Sequence, residues 1–261
     1  MSNKNWGFCD LSIMKSFPLD KLHILGSNGF KTIAINTLVS EESVEEPKKK
    51  KKKGEIKDKK DFIPEPVEIP KELLTELDVN LLQRVTIEFS DSSISHKLNQ
   101  SENLRKYDIV AVIPKTLQAF QYVCGTLEVD IISFNPEGRI PFKVSRKLYR
   151  QAVERGIFFE LMYSPAIKDS TARKNIISTA HTYHAIGKSR NIIVSSGAES
   201  TSHTRSINDV INLGFLLGLS NNESVEVVRN NTRKLIVRAD GRKCGKYYLK
   251  VKTIDEQKTE L

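Results

Sequence analysis

Cysteine is scarce in this chain. Cys9, Cys124 and Cys244 are odd in number, far apart and outside any Cys-x-x-Cys spacing, which argues against a disulfide framework and a structural zinc site. Three reduced thiols are expected, with Cys9 and Cys124 in or near a core. No apolar run approaches the roughly 18 residues of a membrane span. The opening Met-Ser-Asn-Lys-Asn-Trp has neither the apolar core nor the cleavage site of a signal peptide, so a soluble, intracellular protein with no membrane partner is expected. Nucleotide-binding fingerprints are missing too. No Gly-x-Gly-x-x-Gly follows the first apolar run, where Cys9-Asp10-Leu11-Ser12 stands, and Gly187-Lys188-Ser189 is only a fragment of a phosphate loop. Ser195-Ser196-Gly197 lacks the Gly-x-Ser-x-Gly context of a nucleophile turn and reads better as a small-residue strand end.

What the chain does have is a charge imbalance with a definite location. The net charge is +9, from 41 Lys and Arg against 32 Asp and Glu. The conspicuous stretch 41–70 holds nine lysines and nine acidic residues and sums to zero. Up to Glu137 the chain has 19 basic and 21 acidic residues, and after it 22 and 11, or −2 and +11. A positive field confined to the C-terminal half suits a polyanion such as RNA better than a small acidic substrate. Residues 41–70, rich in Glu, Lys and Pro, read as a disordered insertion. Within it Lys48, Lys49, Lys50, Lys51, Lys52 and Lys53 form six consecutive cations that an import receptor could read as a nuclear address.

The whole chain, at 261 residues and 39% hydrophobic, is enough for one large α/β domain. Apolar, β-rich runs at 8–13, 32–39, 85–89, 108–113, 129–134, 157–163 and 191–196 alternate with helical patterns at 115–125, 145–156, 206–218 and 220–237. Such alternation implies a parallel sheet covered by helices. Seven strands form a closed or nearly closed (β/α) barrel, with one irregular segment completing it, or else an open doubly wound sheet. Residues 1–40 supply the first two strands, 71–243 the rest of the domain, and 244–261 a tail.

In a barrel, the C-terminal strand ends form the functional rim. The polar residues expected there are Asp10, Asn36, Glu88, Asn135, Ser164, Ser195 and Ser196. Metal-dependent barrel hydrolases need several His and Asp ligands converging on this rim, yet no strand end carries a histidine; His23, His96 and His203 are isolated. Glu160, within an apolar strand, is either an internal charge paired to Lys or Arg or an outward rim residue. The segment Leu161 to Arg173 reads as a strand, a tight loop and a helix start at Asp169 or Ser170, placing Lys168, Arg173 and Lys174 beside free backbone N–H groups. That is an anion-holding arrangement with no nucleophile in it. On the helix that follows, Arg173, Lys174, His181, His184 and Lys188 fall in one arc of about 100°, beside an apolar arc of Ala172, Ile176, Ala180 and Tyr183. Histidines among cations suit metal poorly, leaving RNA or partner contact, or plain solvation. Lys115, Lys168, Arg173, Lys174 and Arg205 are therefore the candidate phosphate contacts, and no catalytic residue, metal ligand or cofactor site is expected.

Four runs then carry a family resemblance: Tyr107 to Thr116, Tyr163 to Thr171, Asn191 to Ala198 and Asn212 to Ser220. With Asp10-Leu11 and Ala34-Ile35-Asn36, they resemble the 30-kDa protein subunit family of eukaryotic ribonuclease P, over residues 6–40 and 84–243. The resemblance implies a distorted TIM-barrel-like fold akin to a metal-dependent phosphoesterase superfamily, without its metal-binding histidines. It also implies a noncatalytic, RNA-scaffolding role in nucleus and nucleolus. The implied partners are the catalytic RNA subunit of ribonuclease P and RNase MRP, precursor tRNA indirectly, and a small RRM-like protein subunit. Two other readings stand beside it. One is a stand-alone metallophosphoesterase using Asp10, Glu88 and Glu160; the other is a protein-bridging subunit whose apolar helix face, with Val210, Leu213 and Leu217, binds other subunits.

Overall fold

The computed structural model describes residues 5–41, 61–70, 73 and 77–245. Seven strands, β1 Phe8–Met14, β2 Phe30–Ser40, β3 Asn80–Phe89, β4 Ile109–Pro114, β5 Ile131–Ile132, β6 Phe158–Met162 and β7 Ile192–Ser195, follow each other in chain order in one parallel sheet. Every apolar run read as a strand is one. The helices among the described residues are α1 His23–Ser27, α2 Ile94–Gln100, α3 Leu117–Gly125, α4 Arg146–Glu154, α5 Ser164–Lys168, α6 Ser170–Gly187, α7 Ile207–Leu216, α8 Asn221–Glu226 and α9 Asn230–Cys244. Several starts are fixed locally by hydroxyl caps. Thr116, Ser145 and Ser206 accept from the backbone N–H of Ala119, Leu148 and Asp209, and Ser220 with Glu223 completes a reciprocal capping box, each contributing about 1 kcal/mol.

The period-2 alternation of strand side chains divides the apolar residues into two cores. Inside the barrel, Cys9, Leu11, Ala34, Ile109, Ala111, Ile131, Phe158 and Ile193 meet Leu235, Ile236 and Ala239 of α9. Outside, Ile33, Ile35, Val85, Ile87, Val110, Val112, Phe159, Leu161 and Val194 join the helices in a larger core. α9 thus plugs one end of the barrel. Arg238 and Arg242 hold it there against the buried Asp130 at 2.8 and 2.9 Å, with Lys243 on Asp108 at 2.7 Å. Cys9 and Cys124 are buried, as expected, and burial pushes the Cys9 thiol up to about 11.

The sheet is nearly closed, and the chain itself completes the seam. At one end Gly197 N–H donates to Ser12 O at 2.7 Å and Met14 N–H to Ala198 O at 2.9 Å. At the other, Cys9 N–H donates to Val228 O at 2.9 Å and Val194 N–H to Val227 O at 3.4 Å. The irregular completing segment is therefore Val227 and Val228. It also explains one departure from the sequence pattern: the helix expected over 220–237 is two helices, α8 and α9. The carbonyls of Val227 and Val228 bond to β7 and β1, so the helical ladder is interrupted where the barrel needs it.

Residues 61–70, read as the end of the disordered insertion, are seated against the domain. Ile63 is buried, Asp61 accepts from Asn103 N–H at 2.9 Å, and Tyr107 Oη donates to Pro64 O at 3.2 Å. Burial of Ile63 and these two polar contacts supply what composition alone did not reveal. Lys48 to Lys53 and the tail beyond Gly245 lie outside the described residues.

Candidate functional site

The upper half of the barrel interior is polar, and it is organised around a charge pair. β3 places Arg84 and β6 places Glu160 inward on facing strands, both side chains fully buried. Their guanidinium and carboxylate meet in two parallel hydrogen bonds of 2.5 and 2.6 Å, the fork geometry that makes Arg the usual partner for a buried carboxylate. Arg84 also donates to Leu11 O at 2.8 Å and to Thr86 Oγ1 at 3.2 Å. Thr86 passes the chain of bonds to Asn36 Oδ1 at 2.7 Å, and Asn36 donates to Ser12 Oγ at 3.3 Å. Ser195 Oγ donates to Glu160 Oε1, the oxygen that Arg84 Nη1 also bonds. Burial alone would push the Glu160 carboxyl up; the Arg84 charge and the bonds from Arg84 and Ser195 hold it below the usual carboxylate range.

Asp10 is also inside rather than on the rim. Its Oδ1 accepts from Ser12 N–H at 3.2 Å and Ser196 N–H at 3.0 Å, while Oδ2 has no partner. Burial raises its pKa to about 6. Ser164 is likewise internal, its hydroxyl bonded to His203 O at 2.9 Å.

Above this layer the strand ends open into a cavity of about 370 Å³. Its wall includes Asn36, Arg84, Glu88, Asn135, Lys168 and Glu199. The donor set does not suit a divalent metal ion. Glu160 is neutralised by Arg84, a fixed guanidinium stands at the centre where a cation would sit, and no histidine lines the wall. Among the described residues no group of three or more His, Cys, Asp or Glu is placed to hold a metal. Asp10, Glu88 and Glu160 therefore do not form the joint metal site of the phosphoesterase alternative. Arg84 and Thr86 were missed in the sequence; the available signal was a lone arginine inside a β-rich run.

The five candidate phosphate contacts are spread over the helical starts around the mouth. Lys115, just past β4, pairs with Glu88 at 3.5 Å. Lys168, ending α5, pairs with Glu199. Arg173 is exposed on α6 and its Nε donates to Ala166 O at 2.8 Å; Lys174 beside it is exposed. Arg205, before α7, donates to the carbonyls of Ser202 and Thr204 at 2.9 and 2.7 Å. Two of the N–H groups at the start of α6, expected to be free, are bonded to Asp169. Asp169 caps α6, its carboxylate accepting from Ala172 N–H at 2.6 Å, and Arg173 N–H bonds Asp169 O at 3.1 Å. The loop itself is the single turn α5, with Pro165 in its first turn. An acidic side chain at an N-cap satisfies the donors and the positive helix end at once.

α6 has the two faces its sequence implies: Ala172, Ile176, Ala180 and Tyr183 are buried, and Arg173, Lys174, His181, His184 and Lys188 are exposed. Between α5, α6 and α7 lies an apolar groove of about 410 Å³ lined by residues that include Ala166, Ile167, Arg173, Ile177, Leu213 and Leu216. Val210 and Leu217, expected to offer a partner surface, are core residues, 2% and 3% exposed; Phe215 and Leu216, at 52% and 66%, are what this helix presents to solvent. The α7 sequence is apolar on both sides, so periodicity alone did not separate them.

The fold and its centre define a TIM-barrel-like (β/α) domain whose mouth holds a guanidinium–carboxylate pair where a metal-dependent barrel would gather ligands. Comparison with known proteins narrows the class. The sequence profile described as RNase P subunit p30 matches residues 7–244. The chain is 34% identical over 249 residues to Ribonuclease P protein subunit p30 of Mus musculus, covering 90% of this chain and 87% of that one. It is 29% identical over 204 residues to Ribonuclease P/MRP protein subunit RPP1 of Saccharomyces cerevisiae, covering 77% and 64%. This chain belongs to the RNase P subunit p30 family. In fold it is similar to a chain in the cryo-EM structure of archaeal ribonuclease P with mature tRNA, at TM-score 0.62, 14% identity and coverage of 96% and 100%.

Proposed function

We propose that this chain is a noncatalytic protein subunit of the ribonuclease P ribonucleoprotein. It binds and scaffolds the RNA that removes the 5′ leader from precursor tRNA, and in RNase MRP it supports ribosomal RNA processing. The carrying observation is the family match over 7–244, joined to a barrel centre whose carboxylate is already neutralised. The +11 charge of the C-terminal half and the exposed basic face of α6 support phosphate contact, in which each neutralised phosphate releases counterions. Lys115, Lys168, Arg173, Lys174 and Arg205 are the proposed contacts near the mouth. The groove beside Phe215 and Leu216 is the proposed seat of a protein partner, the small RRM-like subunit, and the nucleus and nucleolus are the proposed location, with Lys48 to Lys53 as the address.

The test is RNA affinity of the Lys168→Ala/Arg173→Ala variant, titrated against salt. Each lost phosphate contact lowers the slope of log K against log salt by roughly 0.7–0.9, so a drop of about 1–2 is expected. Unchanged affinity and slope would remove these two residues from the interface.

A further inference from the structure

A second cationic cluster lies away from the mouth, where the chain leaves α6 and enters β7. Arg146 and Arg150 stand one turn apart on α4, and Lys188 and Arg190 follow the end of α6; together they line a cavity of about 220 Å³. All four side chains are exposed. Among the described residues none of the four forms an ion pair with a carboxylate, whereas Lys115 and Lys168 at the mouth are each paired with a glutamate. One cation at the end of α6 suffices to complement the terminal carbonyls; Arg146, which reaches Ala185 O at 3.4 Å, fills that role. The other three add like charges to one small cavity, and among the described residues no carboxylate pairs with any of them.

The backbone is held in an uncommon conformation to produce this arrangement. Lys188, Ser189 and Asn191 all have positive φ, at 51°, 54° and 51°, which costs L-residues roughly 1–2 kcal/mol each. The surroundings enforce it. Ser189 and Asn191 turn inward, Ser189 Oγ to His184 Nδ1 at 3.1 Å and Asn191 Nδ2 to Ile157 O at 3.1 Å. Lys188 and Arg190 are thereby turned outward beside the α4 arginines. The floor is rigid: Tyr149 stacks on Phe159 at 4.2 Å, its hydroxyl donates to Arg190 O at 2.6 Å, and a Cβ on Gly187 would come within 2.0 Å of its ring.

We infer that this cluster of Arg146, Arg150, Lys188 and Arg190 is a second RNA-phosphate site, and that the basic face of α6 joins it to the mouth. The inference rests on the scaffold role proposed above. Arg173 and Lys174 begin the α6 stripe near the mouth, His181 and His184 continue it, and Lys188 delivers it to the cluster. At 1.5 Å per residue the 18 residues of α6 span about 27 Å, so the RNA backbone follows the outside of the barrel instead of resting on its rim alone. The cavity has no aromatic face open for base stacking, because Tyr149 is buried, which points to contact with phosphates irrespective of sequence.

The full chain with Arg146, Arg150, Lys188 and Arg190 all changed to Gln tests this against wild type, with the RNA subunit of the particle as probe. At about 0.15 M salt the variant is expected to bind at least tenfold more weakly, with the salt slope lowered by about 3–4. A set with Arg146→Lys, Arg150→Lys and Arg190→Lys keeps the charge and is expected to retain the slope, separating lost charge from lost folding. If wild type binds RNA and the Gln variant matches it in affinity and slope, this site is overturned while the scaffold role stands. If wild type shows no RNA binding, both fall. If the Gln variant keeps RNA but loses binding of polyglutamate, the occupant is an acidic protein segment and the RNA assignment is wrong.

Discussion

Removing Arg84 alone strikes the centre of the barrel. Arg84→Met leaves the Glu160 carboxylate buried with only hydroxyl partners, and breaking a buried pair from one side costs about 3–5 kcal/mol. For a domain of this size each kcal/mol lowers Tm by roughly 2–4 °C, so a fall of about 6–20 °C is expected. Arg84→Met with Glu160→Leu removes both charges and is expected to recover most of the loss, stopping about 1–2 kcal/mol short because Leu11 O loses its donor. The pH dependence checks the cause. In wild type the Glu160 pKa is lowered on folding, so its contribution is present above the unfolded value and disappears as pH falls through the folded one. In Arg84→Met, burial is unopposed and the folded pKa rises, so the defect should be large at pH 7 and shrink below about pH 4. Urea denaturation at both pH values, followed by near-UV circular dichroism, reads all three chains. A single variant within about 1 kcal/mol of wild type, or a double variant no more stable than Arg84→Met, would show that the pair does not organise the barrel.

Asp10 gives the opposite pH trend. Its folded pKa of about 6 lies above the unfolded value of 3.8, so the chain loses stability as pH rises from about 4 to 6, on the order of 2–3 kcal/mol; Asp10→Asn should flatten that slope in denaturation curves, and an unchanged slope would place the titration elsewhere. Phe215→Ser with Leu216→Ser alters residues half or more exposed, so Tm should move by no more than about 1–2 °C while capture of the proposed partner, an RRM-like subunit, falls at least tenfold; unimpaired capture would overturn the proposal that it sits on this face.

Much of the fold was legible because it depends on local pattern. Seven nearly continuous apolar runs gave seven strands, and Ser220 with Glu223 gave its capping box. What escaped is tertiary. Nothing within 220–237 announces that Val227 and Val228 must lend their carbonyls to the barrel seam, and Glu160 signalled a need for a cation without naming Arg84 on a strand 76 residues away. The candidate contacts were found at helix starts, but pairing of Lys115 and Lys168 depends on Glu88 and Glu199, brought in by other segments. Lys188 was visible on the α6 stripe, whereas its approach to Arg146 and Arg150 follows from the αL turn after the helix.

Crosslinking of this chain to RNA inside the assembled ribonuclease P particle, with the crosslinked residues mapped, bears most directly on the scaffold role. Crosslinks on the outer face of α6 and around the mouth, from a purified chain that neither retains stoichiometric metal nor turns over a phosphodiester, are expected. A particle in which this chain yields no RNA crosslink, or a purified chain that holds metal tightly and cleaves a generic phosphodiester, would contradict it.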